Sequence, residues 1–404
     1  METCLSRHPK STWHTKIHAN PDIENQLLRQ VDWPEQIQTI NMAVDETTLT
    51  YLQTNRIAAQ ERLLAWFAQY ARDLPWRHDR TPYRVWVAEV MLQQTQATKV
   101  RDYYTRFITH FPTIAALAEA SLDDVLKQWE GLGYYSRARA LHRAAQEVVA
   151  RHHGELPADV ETLRRLPGVG AYTAGAIASI AFGIPTPAVD GNVRRVFARL
   201  LAWPIPDTAA LEAAVSTWLP ADAPGAFTEA LMELGATLCR PQSPQCPLCP
   251  WRDLCQAQAL GQAKAFPAPR PRKPIPHYDV VAAVTVRDDG RVLVARRRQD
   301  DMLGGLWEFP GGKREDGETL PAALCREMQE EMGIEVAVGE QLAVVQHAYT
   351  HFRLTLYAFA CRLVAGEPIC IECDDFRWAT PEEIATLPMA VTDRKIANQC
   401  VVAV

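Results

Sequence analysis

The 404-residue sequence has no run of about 18 apolar residues, which excludes a hydrophobic membrane-spanning helix. Its N-terminus lacks the charged-then-apolar pattern of an export signal, so a cytoplasmic protein is expected. No internal repeat is visible. Also missing is the basic excess usual in nucleic-acid binders: the formal net charge is −6. That figure hides an uneven distribution. Residues 1–50 hold 4 basic and 7 acidic side chains, residues 51–276 hold 25 and 20, and residues 277–404 hold 13 and 21. A mildly basic middle and an acidic C-terminal part suggest different partners for the two, and so small a surplus leaves the decision to motifs. Hydrophobic content of 48% and charged content of 22% are ordinary for a globular protein, and the length allows two or three domains.

Strand signals are scarce from about 55 to 240, where the pattern is helical. In 136–152, for example, Leu141, Ala144, Ala145, Val148 and Val149 repeat at helical spacing. Residues 1–50 are polar without a convincing period and read as a tail, with Met42 an alternative start of translation. The prolines of 259–276 (ALGQAKAFPAPRPRKPIP) deny a continuous helix or central strand, giving a basic, semi-extended linker. Beyond it, VVAAVTV (280–286), RVLVARR (291–297) and LTLYAFACRL (354–363) read as strands, and about 319–332 as a helix. The expected architecture is multidomain: an all-α part over 51–258, the linker, and an α+β part over 277–404.

Ten cysteines in a cytosolic chain argue for metal or catalytic use rather than a disulfide framework. Cys239, Cys246, Cys249 and Cys255 are spaced C-x6-C-x2-C-x5-C, close enough to close on one soft centre. Spacing alone admits zinc or a [4Fe–4S] cluster, although only one C-x2-C knuckle is present. Cys370 and Cys373, in CIEC, have no second pair and read as ordinary strand residues.

In LRRLPGVGAYTAGAIASIAF (163–182), a short helix ends at the Pro-Gly-Val-Gly turn and another opens at Ala171. Gly168 and Gly170 allow turn angles and close approach of a ligand, and amides at a helix start suit a DNA phosphate. Downstream lies AVDGNVRRV (188–196), where Asp190 is equally readable as an ordinary helix cap. Glu89 sits among Val87, Val90, Met91 and Leu92; buried there, a carboxylate would have a raised pKa suited to a general acid.

Together these segments resemble the helix–hairpin–helix–GPD glycosylases, and the cysteine spacing resembles that of the endonuclease III superfamily, which favours one [4Fe–4S] cluster over zinc. WVAEVMLQQTQ (86–96), LPWR (74–77) and GLGYYSRAR (131–139) resemble the MutY-type adenine glycosylases in particular. The resemblance implies excision of adenine, flipped from duplex DNA where it is mispaired with 8-oxoguanine or guanine. Glu89 would protonate N7 of the purine, and Asp190 would stabilise the oxocarbenium-like centre electrostatically or by a transient covalent bond. Trp76, Arg77 and Glu229 would line the adenine pocket, Tyr172 and Asn192 would support the catalytic centre, and Gln94 and Tyr134 would wedge into the base stack. Where strand-cleaving relatives carry a lysine nucleophile, this chain has Tyr172, so no Schiff base and a monofunctional glycosylase are expected. The protein is expected to be a monomer, without membrane partners, associated with a bacterial nucleoid.

GKREDGETLPAALCREMQEEMGI (312–334) matches the Nudix box G-x5-E-x7-R-E-U-x-E-E-x-G-U at Gly312, Glu318, Arg326, Glu327, Met328, Glu330, Glu331, Gly333 and Ile334. Gly312, Glu327, Glu330 and Glu331 would hold Mg²⁺ against a diphosphate, the carboxylates sharing one helical face. MutY-type proteins resemble the nucleotide hydrolase MutT here but usually carry a degraded box, whereas this one is intact. Two readings follow: a domain that only reads 8-oxoguanine, or one that also hydrolyses oxidised nucleoside triphosphates. HAYTHFRL (347–354) resembles the Phe-Ser-His loop that reads the lesion, here Tyr349, Thr350 and His351, with Tyr349 keeping a ring for stacking and Thr350 a hydroxyl. A purine-reading Asn expected near Pro388 is replaced by Ala390 and Val391, which favours the reader. A Nudix pyrophosphatase with a DNA-targeting domain leaves MLQQTQ and LPWR unexplained, and a catalytically silent lesion binder does not need both Glu89 and Asp190.

Overall fold

The computed structural model describes residues 45–269 and 274–400; the expectations for 1–44 and for the linker at 270–273 lie outside these residues. The first half is helical: α1 (Glu46–Tyr70), a 3-10 turn (Pro75–Arg77), α2 (Pro82–Leu92), α3 (Ala97–His110), α4 (Ile114–Glu119), α5 (Leu122–Trp129), α6 (Tyr135–Arg151), α7 (Val160–Arg165), α8 (Ala171–Phe182), α9 (Gly191–Leu200), α10 (Thr208–Trp218), α11 (Pro224–Thr237) and α12 (Gln256–Ala259). Starts are written in the sequence. Side chains of Asp45, Thr113, Ser121, Asp159, Asp190 and Asp207 accept from backbone amides of the following turn, and Pro82 and Pro224 occupy first-turn positions that need no N–H. Helix α1 begins inside the stretch read as a tail.

Two apolar cores organise these helices. One gathers Trp86, Phe107, Trp129 and Leu141 from α2, α3, α5 and α6. The other gathers Leu63, Phe197, Trp218, Phe227 and Trp251, so that α1 packs on the last third of the helical region. Buried indoles find backbone acceptors across that core: Trp218 Nε1 donates to Leu52 O at 2.7 Å and Trp251 Nε1 to Ala59 O at 2.9 Å. The start of the linker is docked rather than free. Phe266 is buried against Ala202 and Ala257, and the Ala268 amide donates to Pro204 O at 2.8 Å.

The second half is α+β: β1 (His277–Thr285), β2 (Val292–Arg297), β3 (Trp307–Glu308), α13 (Leu320–Met332), β4 (Glu335–Ala348), β5 (Arg353–Ala365), β6 (Cys373–Ala379), α14 (Pro381–Thr386) and α15 (Val391–Cys400). Its two sheets run β1-β5-β4 and β3-β2-β6, with β1 parallel to β5 and the other pairs antiparallel. Leu324, Met328 and Met332 of α13 pack on Val281 and Leu293, while Ile384 and Ile396 close the other face. Against the sequence reading of both as ordinary strand residues, Cys370 and Cys373 form a disulfide, with Cys373 opening β6 and Cys370 ahead of it, beside the backbone of Glu331 and Met332.

The two halves are joined by more than the linker. Leu306 and Ala390 bury themselves in the first helical core. Arg394 pairs with Glu130 at 2.6 Å, and Lys127 Nζ donates to Ala385 O at 2.9 Å.

Candidate active site

A cleft of about 1270 Å³ opens between the two helical cores, lined from α2, the α7–α8 turn, α8, the start of α9 and α11. Glu89, on α2, reaches it while remaining only 4% exposed. Burial pushes its carboxyl up to about 7, with the Asp190 and Glu229 charges adding to the rise and the Tyr172 hydroxyl and Arg77 opposing it. Tyr172, at the second position of α8, donates its hydroxyl to Glu89 Oε2 at 2.6 Å; burial and then the Glu89 and Asp190 charges push the phenol far up, so it stays a neutral donor.

Asp190 both caps a helix and lines the cleft. One oxygen accepts from the Val193 amide at 2.7 Å, capping α9, and the other takes the Asn192 side-chain amide at 2.8 Å. The chain continues: Asn192 Oδ1 accepts from Arg195 Nη2 at 2.9 Å, and Arg195 Nε donates to Cys239 O at 2.7 Å. A Cβ on Gly235 would lie 2.5 Å from Asn192 Cβ, so glycine there lets α11 lie directly against the turn that carries Asp190 and Asn192.

Trp76 and Arg77, from the 3-10 turn, and Glu229, from α11, line the same cleft. Arg77 faces Glu229 at 3.4 Å and Arg80 meets its other oxygen at 2.8 Å; burial outweighs both cations and raises the Glu229 carboxyl. Two residues passed over by the sequence reading, Arg72 and Glu233, complete this wall. Arg72 lies two residues before LPWR and Glu233 one turn beyond Glu229, the only signals available in the sequence.

At the rim, Gln94 and Tyr134 both hold left-handed backbone, with φ of 55° and 50°. Such strain persists only where neighbours impose it, and it is common at ligand clamps. One buried residue, Arg137, reaches the backbone next to both. Its Nη1 donates to the carbonyls of Val90, Met91 and Gln93 at 3.0, 2.8 and 2.6 Å, closing the end of α2, and its guanidinium stacks on the Tyr134 ring. Gly168 carries the positive φ, 75°, expected in the hairpin turn, and a Cβ there would strike Ala140. Gly170 differs from expectation: its backbone is extended, as any residue allows, and the open space over its Cα is what glycine provides.

Cys239, Cys246, Cys249 and Cys255 line one small cavity of about 30 Å³ together with Arg199. Arg199 Nη1 lies 3.3 Å from Cys239 Sγ. Among the described residues, no three Cys, His, Asp or Glu side chains converge on a single ion, here or at the Nudix box.

In the C-terminal half, Glu331 Oε2 accepts the Gly311 amide at 3.1 Å, and Glu327 and Glu330 both bind Arg326. Glu327 also packs against Gly312, where a Cβ would come within 2.3 Å of its carboxyl carbon. Thr350 and His351 are exposed, and the Thr350 hydroxyl meets the Tyr134 hydroxyl across the two halves. The Tyr349 ring is half-buried, packed between His347 and Phe352 at 4.6 and 4.9 Å.

Residues 87–221 match the HhH-GPD superfamily base excision DNA repair protein family, and residues 281–399 match the NUDIX domain family. The adenine DNA glycosylases of Homo sapiens and Rattus norvegicus are each 37% identical to this chain, covering 83% and 84% of it and 72% and 77% of their own lengths. A solved thermostable thymine-DNA glycosylase is 28% identical, covers 51% of this chain and 98% of its own, and has a TM-score of 0.48.

Proposed function

The chain belongs to the adenine DNA glycosylase family, a base excision repair enzyme that acts on DNA, and from that premise we propose that it removes adenine mispaired with 8-oxoguanine or guanine. The observation that carries the chemistry is the pairing, in one ligand-sized cleft, of a buried carboxyl with a raised pKa, Glu89, and a carboxylate, Asp190. The flipped adenine enters between Trp76, Arg77 and Glu229. Glu89, protonated up to about pH 7, gives its proton to N7, turning the base into a neutral leaving group. As the glycosidic bond breaks, Asp190 offsets the positive charge on the sugar, and water completes the hydrolysis. Tyr172 keeps the Glu89 carboxyl oriented; having no amine, it forms no Schiff base, so the strand is left uncut. Gln94 and Tyr134 fill the gap in the stack, and the amides beyond Gly168 and Gly170 hold a phosphate.

Four cysteines lining one cavity, at a C-x6-C-x2-C-x5-C spacing that resembles the endonuclease III superfamily, support a [4Fe–4S] cluster over zinc. Burial pushes the Cys249 and Cys255 thiols up to about 12 and 11, so a cationic centre is needed to keep them as thiolates. Cys239, Cys246, Cys249 and Cys255 would hold the cluster, tying the two ends of the 239–255 loop together.

The C-terminal half is best read as the lesion reader. The exposed Thr350 shares a hydrogen bond with the Tyr134 hydroxyl and the exposed His351 follows it in the chain, whereas the Nudix carboxylates are engaged within the protein. Mg²⁺-dependent nucleotide hydrolysis at Gly312, Glu327, Glu330 and Glu331 is the lesser reading. The test is to incubate the purified chain with duplexes carrying adenine opposite 8-oxoguanine, guanine, cytosine or thymine. Heat–alkali cleavage at adenine opposite the first two only is expected; cleavage without heat and alkali, or at all four, contradicts the reading. Iron and acid-labile sulfide are assayed on the same sample, and stoichiometric zinc in their place rules out the cluster.

A further inference from the structure

Glu233 is the fully buried charge at the cleft for which the proposed chemistry has no use. It lies one helical turn beyond Glu229 on α11 and is 1% exposed. Its Oε1 accepts from Arg72 Nε at 2.6 Å and from the Arg72 amide at 3.2 Å; its Oε2 accepts from Arg72 Nη2 at 2.9 Å and from Arg77 Nη2 at 2.8 Å. Arg77 Nη1 in turn donates to Arg72 O at 2.9 Å. One carboxylate thus locks two guanidinium groups into a common frame. Burial alone would raise its pKa, but the Arg72 hydrogen bonds and the Arg77 charge outweigh that, and Glu233 stays ionised below the usual range. Both arginines line the cleft opposite Glu89 and Asp190. Arg77 Nε, buried, faces Glu229 Oε1 at 3.4 Å, so the same guanidinium bridges Glu233 and Glu229 at the cleft wall.

We propose that Glu233 is a positioning residue for adenine recognition: by gripping Arg72 and Arg77 together it aims their remaining N–H donors at the ring nitrogens of the flipped base. The proposal rests on the adenine reading of this cleft. Adenine offers ring acceptors and one exocyclic amino donor. A fixed pair of guanidinium forks with the Glu229 carboxyl beside them complements that pattern, whereas freely rotating arginines would not. Glu233 also contains charge. Glu89 is faced by Tyr172 from α8, Asp190 from the start of α9, Glu229 from α11 and Arg77 from the 3-10 turn. Releasing Arg77 from Glu233 leaves its full charge to act on Glu89, which favours the ionised, catalytically dead form of that acid.

Single-turnover adenine release from an 8-oxoguanine-containing duplex is compared for the intact chain and for Glu233→Gln, Glu233→Asp and Arg72→Gln between about pH 5 and 9. Duplex affinity and cooperative thermal unfolding are measured alongside. Misaiming by about an ångström costs on the order of 10²-fold, so Glu233→Gln is expected to slow release by roughly that factor at saturating enzyme. Its affinity for duplex should stay parental, and its high-pH fall-off should move to lower pH. Glu233→Asp, which keeps the charge, should recover the parental pH profile and part of the rate; Arg72→Gln should slow release without moving the profile downward. A folded Glu233→Gln with parental rate and profile overturns the proposal. If that variant does not fold, parental release by both Glu233→Asp and Arg72→Gln overturns it, and slowed release by both upholds it. A parent that releases no adenine refutes the adenine reading itself, a result distinct from these.

Discussion

The molecule contains two clusters of buried carboxyls, one in each half, and they meet different fates. In the helical half, burial raises Glu89 to about 7, yet its carboxyl opens onto a cleft of about 1270 Å³ with Asp190 across from it. In the C-terminal half, burial likewise raises Glu331 and Glu308 well above the usual carboxylate range, the Glu308 charge adding to the rise of Glu331, but Glu331 is bound to the Gly311 amide and Glu308 to Arg297 at 2.6 Å. Asp393 nearby is likewise tied to the Phe309 amide and the Thr392 hydroxyl. A perturbed carboxyl marks a reactive site only when it also faces space for a substrate; otherwise the same shift belongs to a structural network. An intact Nudix box and an active Nudix site are therefore separate propositions.

Substitutions can break this contrast, and the largest effect is expected at Asp190. Asp190→Asn keeps an oxygen to cap α9 but removes the charge facing the sugar, so release should fall by about 10³-fold or more, with duplex binding intact. Turnover near the parental rate would take Asp190 out of the mechanism. A middle-sized effect is expected from Thr350→Ala with His351→Ala. Loss of one or two hydrogen bonds, about 1–3 kcal/mol, should cut the preference for adenine opposite 8-oxoguanine over guanine by roughly 5- to 160-fold. Release opposite guanine should change little, and an unaltered ratio would remove this loop from lesion reading. The smallest effect is expected at Glu331→Gln, which should leave base release within about twofold of the parent. Brisk Mg²⁺-dependent hydrolysis of an oxidised nucleoside triphosphate by the parent, abolished in that variant, would make the C-terminal half an enzyme and end the contrast.

What the sequence made legible was local. Glu89 in an apolar helical stretch, the cap-like Asp190, the hairpin turn and the helix at 320–332 all declare themselves within about 20 residues, where spacing and capping chemistry act. Unread features depend on distant partners. Arg72 and Glu233 are 161 positions apart, and neither means much without the other. Strand β4 escaped because its pairing with β5 shifts register between Glu335 and Val336, between Val338 and Gln341, and between Gln341 and Ala343, which scrambles the alternation a strand would display. Helix α1 shows its apolar stripe, Leu52, Ala59, Leu63 and Phe67, only once the core it packs on is known. Phe266 looked like part of a loose linker because its pocket is built from Ala202 and Ala257. The Tyr349 ring could be assigned to stacking from sequence, but its packing between His347 and Phe352 is a matter of loop closure.

The central claim is that Glu89 acts as the acid because burial keeps it protonated. A carboxyl raised to about 7 carries its proton below that pH and loses it above, so the acid form declines as pH rises through 7. The direct measurement is single-turnover release of adenine from duplex DNA across about pH 5–9, for the parent and for Glu89→Gln. The account predicts a parental rate that falls about tenfold per pH unit above 7, and a far slower variant whose profile is flat through that range. A parental rate that stays level or rises above pH 8, or a variant that keeps the parental fall-off, would contradict it.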